Sequence, residues 1–244
     1  MFERGVAIVT LTKWGVLTSM NVANALAKTQ IKYKLYAPRH LSSDRILPFD
    51  GNPRDQFAKL FNDFDAIIAV MAVGIVVRSI APLIANKRSD PAVVVVDDLG
   101  KYAVSLLSGQ IRGANRLAKI VSKEIGSIPV VTTATELLGK KAVEEIAEEH
   151  HLSIINFESL PLVNSAIVNE HKILVTTMGG VACPKIENAD TKSISNIDQL
   201  KEMMKNYDAG IVISPTILPL EGLSKSVALL VTKLCAQSPE ESSG

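Results

Sequence analysis

The stretch DAIIAVMAVGIVVRSI, residues 65–80, indicates most directly which fold this chain adopts. Residues 66–71 are continuously apolar, which is typical of a β-strand that is covered on both faces. Gly74 follows this strand at once, and the apolar residues from Ile75 to Ile84 recur at helical spacing. A buried strand that leads through a glycine into a helix is the repeating unit of a parallel α/β sheet.

Strands and helices alternate on both sides of this stretch. The residues between Ala92 and Leu107 form two apolar runs around the turn signal at 98–101, which predicts a β-hairpin. We predict further strands over 5–11, 31–36, 130–132, 172–176 and 209–214, and helices that begin near Thr18 and Pro53 or cover 112–125, 140–150, 159–168, 196–205 and 223–234. The expected fold is therefore α/β, with two three-layer-like α/β units, mostly parallel sheets, and a β-hairpin in the first unit.

The length of 244 residues fits one large domain or two small ones. We expect an N-terminal α/β domain over residues 1–137, which contains the motifs discussed below, and a central α/β domain over 138–236. The last residues, 237–244, are polar and include a proline, so we expect a disordered tail.

Composition excludes several classes of protein. The 26 basic and 25 acidic residues give a net charge of +1, which argues against a dedicated nucleic-acid-binding protein. The longest charge-free apolar stretch tested, residues 66–77, is too short to span a membrane, and the chain start lacks a signal-peptide pattern. Cys183 and Cys235 are far apart, which suits a reducing cytoplasm and offers no zinc site. We expect a cytoplasmic protein without membrane contact or a bound metal.

Gly74 and Arg78 form the first candidate binding segment. Ligands of α/β proteins bind where parallel strands end, and the start of the following helix favours an anion. Arg78 would add a bidentate contact to a carboxylate. The alternative is a tight turn with a surface arginine. At the start of the chain, Trp14 is interpreted as a packing residue.

A second candidate segment lies between a predicted strand and a predicted helix. It contains glycines, which let a ligand approach the backbone, and side chains that donate hydrogen bonds to anions. Its candidate residues are Ser108, Gly109, Gln110, Arg112, Gly113 and Asn115. The alternative is a glycine-capped loop in which Asn115 only solvates the helix.

The third candidate segment combines hydroxyl groups with a carboxylate at a strand end. Thr132, Thr133 and Thr135 are candidate binding residues, and Glu136 is a candidate general base for a water molecule. Helix capping is an equally good interpretation of Glu136. Asp97 is a weaker candidate base, because an aspartate pair before Leu99-Gly100 more often belongs to a turn.

These segments, taken together and in this order, resemble the cobalamin biosynthesis protein CbiG family. The similarity rests on residues 72–83 (AVGIVVRSIAPL), 89–97 (SDPAVVVVD), 105–109 (SLLSG), 113–115 (GAN) and 132–135 (TTAT). The resemblance implies a cobalt-precorrin-5A hydrolase, in which water opens a δ-lactone on the macrocycle and acetaldehyde leaves. It also implies a tetrapyrrole substrate that carries its own cobalt, so that no further cofactor is needed. A homodimer and contacts with corrin-pathway methyltransferases are further expectations.

The chain departs from the family pattern at two points. Gln110 stands where the family usually has histidine, and Arg112 where it usually has glycine. An amide orients a water or donates to an oxyanion but does not accept a proton at neutral pH, so Glu136 is the preferred base and Gln110 a candidate oxyanion donor. Many family members also have a further C-terminal domain, which we expect this chain to lack.

Two other functions stay open at this point. One is a non-catalytic corrinoid-binding or scaffolding homologue, which the glutamine at 110 favours. The other is an unrelated nucleotide-binding α/β protein. For the hydrolase we expect the glycine-bearing corners at neighbouring strand ends to converge into one shallow cradle, in which Arg78 and Arg112 hold the carboxylate arms of the substrate.

Overall fold

A computed structural model describes residues 2–86, 88–184, 186–219 and 221–232. The chain divides into two compact units, residues 1–132 and 133–244, so the division falls before Thr133 and not after Leu137. The predicted tail over 237–244 lies outside the described residues.

The first unit contains a seven-stranded sheet. Its strands are β1 (Val6–Thr10), β2 (Tyr33–Pro38), β3 (Leu47–Phe49), β4 (Ala66–Val70), β5 (Ala92–Val96), β6 (Tyr102–Leu107) and β7 (Ile128–Val130), in the order β3-β2-β1-β4-β5-β6-β7. The first five are parallel, β6 is antiparallel to β5, and β7 is parallel to β6. The predicted hairpin is therefore the β5–β6 pair.

Helices cover both faces of this sheet. They are α1 (Lys13–Lys28), α2 (Pro53–Asp63), α3 (Val73–Ile80) and α4 (Ala114–Ile125). Because side chains alternate along a strand, Ile8 of β1 packs into a core with α1 and α4, while its neighbour Val9 packs with α2 and α3. Both faces of β1, β4 and β5 therefore pack against apolar side chains, which explains the continuous hydrophobic runs of these strands.

The reversal at the hairpin defines two edges of the sheet. We call the edge where β1, β2, β4 and β5 end the carboxyl edge, and the edge where they begin the amino edge. In the register of the hairpin, Val96 lies opposite Ala103 and Val93 opposite Leu107. Strand β6 therefore begins at the carboxyl edge and ends at the amino edge.

The second unit contains a five-stranded sheet. Its strands are β8 (Leu152–Ile154), β9 (Ile173–Thr177), β10 (Ala189–Ser193), β11 (Ala209–Ser214) and β12 (Val227–Thr232), in the order β10-β9-β11-β12-β8. Among the described strands of this sheet, β8 alone runs antiparallel to its neighbour. The helices are α5 (Ala134–Leu137), α6 (Val143–Glu149), α7 (Leu160–Val168) and α8 (Ile197–Met204). The α/β fold class with two mostly parallel sheets is thus confirmed.

The predicted start of the first helix near Thr18 is wrong, because α1 begins at Lys13 with Thr12 as its N-terminal cap. One further predicted element is of the wrong type. The stretch 223–234 was expected to be a helix, but Val227–Thr232 form β12, which pairs with β11 and β8. A short, continuously apolar run fits a buried strand and a buried helix equally well, and only the pairing partners decide between them. No helix in the described part of the chain combines the length and apolar character that a membrane span requires.

Candidate functional site

The predicted site residues of the first unit lie at two opposite edges of its sheet. Gly74 and Arg78 follow β4 and Asp97 follows β5, all at the carboxyl edge. The segment Ser108–Asn115 follows β6 and Thr132 follows β7, both at the amino edge. The expectation that the glycine-bearing corners converge into one cradle is therefore wrong, because the hairpin turns β6 back toward the start of β5.

At the amino edge, the loop 108–113 closes on the side chain of Asn115. This side chain is buried, and its Oδ1 accepts a hydrogen bond of 2.7 Å from the Ser105 hydroxyl. A Cβ on Gly109 would lie 2.6 Å from the same oxygen, so glycine is required by close packing. The backbone N–H groups of Ala114 and Asn115 donate to the carbonyls of Ser108 and Gly109, at 3.3 and 3.0 Å. Asn115 thus organises the loop from inside.

Backbone geometry distinguishes two further residues of this loop. Gly113 caps α4 in the left-handed region, at φ 82°, where glycine is unstrained, and its N–H donates to the Gln110 carbonyl at 3.2 Å. Ser108 also has a positive φ of 58°, which is strained for a serine. Its Oγ is buried without a hydrogen-bond partner in the described part of the chain.

Arg112 belongs to a charged cluster at the amino edge that connects the starts of β1 and β4 with the loop after β6. Its Nη2 lies 3.2 Å from Oδ1 of Asp65, and the Arg4 Nε lies 2.8 Å from the same oxygen. The backbone N–H of Arg4 donates to the second Asp65 oxygen at 2.9 Å. Burial would raise the pKa of Asp65, but the hydrogen bonds from Arg4 and the charges of Arg4 and Arg112 lower it. Arg112 is engaged inside the protein.

The carboxyl edge is open around the start of α3. The helix begins after Ala72, with no side chain capping it, and residues 72–74 are exposed. The Arg78 side chain folds back over this end, with Nη2 3.4 Å from the position that a Cβ on Gly74 would occupy. Arg78 is exposed and has no ion-pair partner within the described residues. An uncapped helix start beside a guanidinium is suited to bind a carboxylate.

The loops after β1 and β4 form the topological switch point of the sheet. After β1 the chain continues to β2 on one side, and after β4 it continues to β5 on the other side, so these two loops diverge and leave a crevice between them. At the start of α1, the Thr12 hydroxyl accepts a hydrogen bond of 2.9 Å from the Gly15 N–H. A Cβ on Gly15 would overlap the Thr10 hydroxyl and lie 2.8 Å from Oδ1 of Asp98. Glycine therefore allows α1 to pack tightly against this edge.

Three large apolar side chains are exposed on the carboxyl-edge loops and first helical turns. Trp14 and Leu99 are each 65% exposed, and Val73 is 41% exposed. The interpretation of Trp14 as a packing residue is therefore wrong. Apolar surface and a free guanidinium at the same edge of the sheet fit a ligand that has an apolar body and carboxylate substituents.

The two aspartates of the hairpin turn differ in their contacts. Both carboxylate oxygens of Asp97 accept backbone hydrogen bonds, from Leu99 at 3.0 Å and Tyr102 at 2.7 Å, so Asp97 shapes the turn. Oδ1 of Asp98 is buried and has no hydrogen-bond partner in the described part of the chain. The sequence pattern assigns both aspartates to the turn, and nothing in the neighbouring residues indicates that their hydrogen bonding differs.

The remaining predicted residues belong to the second unit. Thr133 is the N-terminal cap residue of the four-residue helix α5, Thr135 is buried, and Glu136 lies in the first turn. Their roles stay predictions. Within the described residues, no cluster of three or more histidine, cysteine, aspartate or glutamate side chains could hold a metal ion.

Comparison with known proteins gives a consistent set of matches. Residues 55–136 match the family model described as Cobalamin synthesis G N-terminal. The chain is 32% identical to a cobalt-precorrin-5A hydrolase of Priestia megaterium over 71% of this chain and 47% of that protein. It is 30% identical to a protein of the same name from Salmonella typhimurium over 86% of this chain and 58% of that protein. The chain thus spans about half the length of these curated relatives.

A solved structure shares the fold. It is a crystal structure of a candidate cobalamin biosynthesis protein G homologue from Sulfolobus solfataricus, with a TM-score of 0.52 and 22% identity. The match covers 94% of this chain and 60% of that chain.

Proposed function

Because these matches confirm the resemblance to the CbiG family, we propose that the chain acts as a cobalt-precorrin-5A hydrolase in cobalamin biosynthesis. In the proposed reaction water adds to the carbonyl carbon of the δ-lactone and the acyl C–O bond breaks, which leaves a carboxylic acid and an alcohol on the two-carbon fragment. The alcohol then loses its proton and becomes the C=O of acetaldehyde as the C–C bond between the fragment and the macrocycle breaks. The macrocycle takes up the electron pair of that bond and a proton. The observation that carries the proposal is the family match over residues 55–136, which includes both Gly74 and Arg78.

We place the substrate at the carboxyl edge of the first unit. The exposed side chains of Trp14, Val73 and Leu99 offer apolar contacts to the ring, and Arg78 and the start of α3 bind its carboxylates. The cobalt arrives within the substrate, so the proposed site needs no cofactor of its own.

In this proposal the amino-edge loop supports the fold and does not bind the substrate. The five residues of β5 span about 16 Å, and packed side chains lie between the two edges. Moreover, the Arg112 guanidinium is paired with Asp65 and the Asn115 amide with Ser105. A macrocycle bound over Arg78 therefore does not also contact the loop 108–115.

The water requires a carboxylate base, and two residues are to be compared. Glu136 is the base predicted from the sequence. The second is Asp98 at the carboxyl edge, whose Oδ1 accepts no hydrogen bond from any described residue. Asp97 is unsuited, because two backbone N–H groups bind its oxygens. Asp98→Asn is expected to lose acetaldehyde release with retained substrate binding, and full activity would eliminate Asp98 as the base. Glu136 follows Thr132 of the amino edge by only four residues, so the same loss in Glu136→Gln would contradict the placement of the substrate at the carboxyl edge.

The direct test of the function is a turnover assay with cobalt-precorrin-5A, in which released acetaldehyde is detected and corrinoid binding is followed by absorbance. We expect binding and stoichiometric release. Binding without release would support the non-catalytic corrinoid-binding alternative. Absence of binding, combined with stabilisation by nucleotides, would contradict both and support a nucleotide-binding protein.

A further inference from the structure

The second unit contains a cavity of about 260 Å³ between its helices and the start of β9. It is slightly below the roughly 300 Å³ at which sites for drug-sized ligands begin, and it is too small for a tetrapyrrole. We propose that this cavity binds a small amphipathic amine, with an alkyl body inside and an ammonium group at the mouth. The proposal does not depend on the proposed hydrolase function.

The inner wall of the cavity is apolar. Ile146 of α6, Ile167 of α7 and Ile173 of β9 line it, and each is almost fully buried. These three side chains belong to separate elements that are fixed by the fold, so the wall is preformed. An alkyl chain gains free energy when it moves from water into the cavity, and the protein does not have to change its conformation to admit it.

Both lysines that line the cavity are already neutralised. The Lys140 ammonium donates to the Ile167 carbonyl at 3.1 Å, to the Val168 carbonyl at 3.5 Å and to Glu170 at 2.9 Å, which occupies its three N–H groups. Its charge also stabilises the C-terminal end of α7. Lys141 is paired with Glu149 at 2.6 Å. Neither cation is available to bind an anionic ligand.

Glu187 supplies the uncompensated charge at the mouth. It lines the cavity, is exposed, and has no ion-pair partner among the residues that the structure describes. Lys140 balances the charge of Glu170, and Glu149 balances that of Lys141. The charge of Glu187 is therefore left over, and the cavity has one excess negative charge. An ammonium group is the head group that this charge selects, and a carboxylate would be repelled.

The first experiment titrates the purified full chain with n-butylamine, n-pentylamine and n-hexylamine, and with hexanoate and hexanol, by calorimetry and amide chemical shifts. We expect saturable amine binding that strengthens about fourfold with each added methylene. Amide shifts should concentrate around residues 139–141 and 170–173. Hexanoate binding as tight as hexylamine binding would overturn the assignment of the head group, and absence of saturable amine binding would overturn the site.

Two variants locate the ligand. Glu187→Gln should weaken hexylamine binding about tenfold, because it removes one charge-assisted contact. The matched control Glu221→Gln changes another exposed glutamate of the same unit that does not line the cavity, and should leave binding unchanged. Ile186→Phe reduces the free volume and should abolish binding, with folding checked by circular dichroism. Equal effects of the two glutamate variants would contradict the proposal even if Ile186→Phe failed to fold.

Discussion

Asp65 shows how the environment of a single residue fixes its charge. The carboxylate is mostly buried, yet the side chains of Arg4 and Arg112 and the backbone N–H of Arg4 surround it and lower its pKa. Since the folded-state pKa lies below the unfolded value of about 3.9, the stabilisation is complete above that value. It is lost as the pH falls through the folded-state pKa.

We predict that Asp65→Asn lowers the free energy of unfolding by roughly 1–3 kcal/mol at pH 7, because charged hydrogen bonds are lost. The difference from wild type should shrink as the pH falls below about 4, since wild type then loses the same stabilisation. Urea denaturation at pH 7, 5 and 3 measures it. Asp50→Asn is the control, because its ion pair with Arg39 is exposed and should contribute nothing measurable. A difference that grows toward low pH would contradict this account.

Arg78 and Arg112 show that the residue type alone does not determine whether an arginine binds a ligand or another residue of the protein. Both were predicted to hold carboxylate arms of a substrate, and each follows a glycine of a strand-to-helix loop. In the structure Arg112 is paired with Asp65, while Arg78 is exposed beside an uncapped helix start. The partner of Arg112 lies 47 residues away along the chain, so no local pattern could reveal it.

At the scale of elements, the starts of α1 and α3 differ in how much room they leave for a side chain at Gly15 and Gly74. At position 15 a Cβ would overlap the buried Thr10 hydroxyl, which is held by the Val70 carbonyl at 3.0 Å. At position 74 the nearest atom is the end of the flexible Arg78 side chain. We predict that Gly15→Ala lowers the free energy of unfolding by about 1–3 kcal/mol through overpacking.

Gly74→Ala is the matched control and should leave the free energy of unfolding unchanged or raise it by up to about 1 kcal/mol, because alanine favours a helix. Thermal and urea denaturation of the two variants give the comparison. Equal destabilisation by both substitutions would show that the two helix starts are not distinguished by packing.

Asn156 connects β12 to the rest of the second unit. Its buried amide donates to the Val227 carbonyl and accepts from the Leu229 N–H, both at 2.7 Å. Asn156→Ala should leave these two groups unpaired and lower the free energy of unfolding by roughly 2–4 kcal/mol. Hydrogen exchange should accelerate first at the amides of β12. The exposed Asn169→Ala is the control, and similar exchange in both variants would contradict the assignment.

At the scale of the whole molecule, the sequence predicted the α/β class because the buried strands β1, β4 and β5 are continuously apolar. It failed at β12, where the same kind of run was assigned to a helix. The predicted hairpin implies that the two groups of residues are separated, since an antiparallel β6 must end at the edge of the sheet where β4 begins. The accessibility of Arg78, the unpaired oxygen of Asp98 and the exposure of Trp14 depend on contacts between distant segments, so they required the structure.

The central claim is that the carboxyl edge of the first unit, and not the amino-edge loop, binds the substrate. The most direct measurement compares acetaldehyde release from cobalt-precorrin-5A by Arg78→Ala and Arg112→Ala, with the free energy of unfolding measured for each variant. The account predicts that Arg78→Ala raises KM about tenfold or more at unchanged stability, because a charged contact to the substrate is lost. It predicts that Arg112→Ala lowers stability and leaves KM unchanged. A raised KM in Arg112→Ala together with an unaffected Arg78→Ala would contradict it.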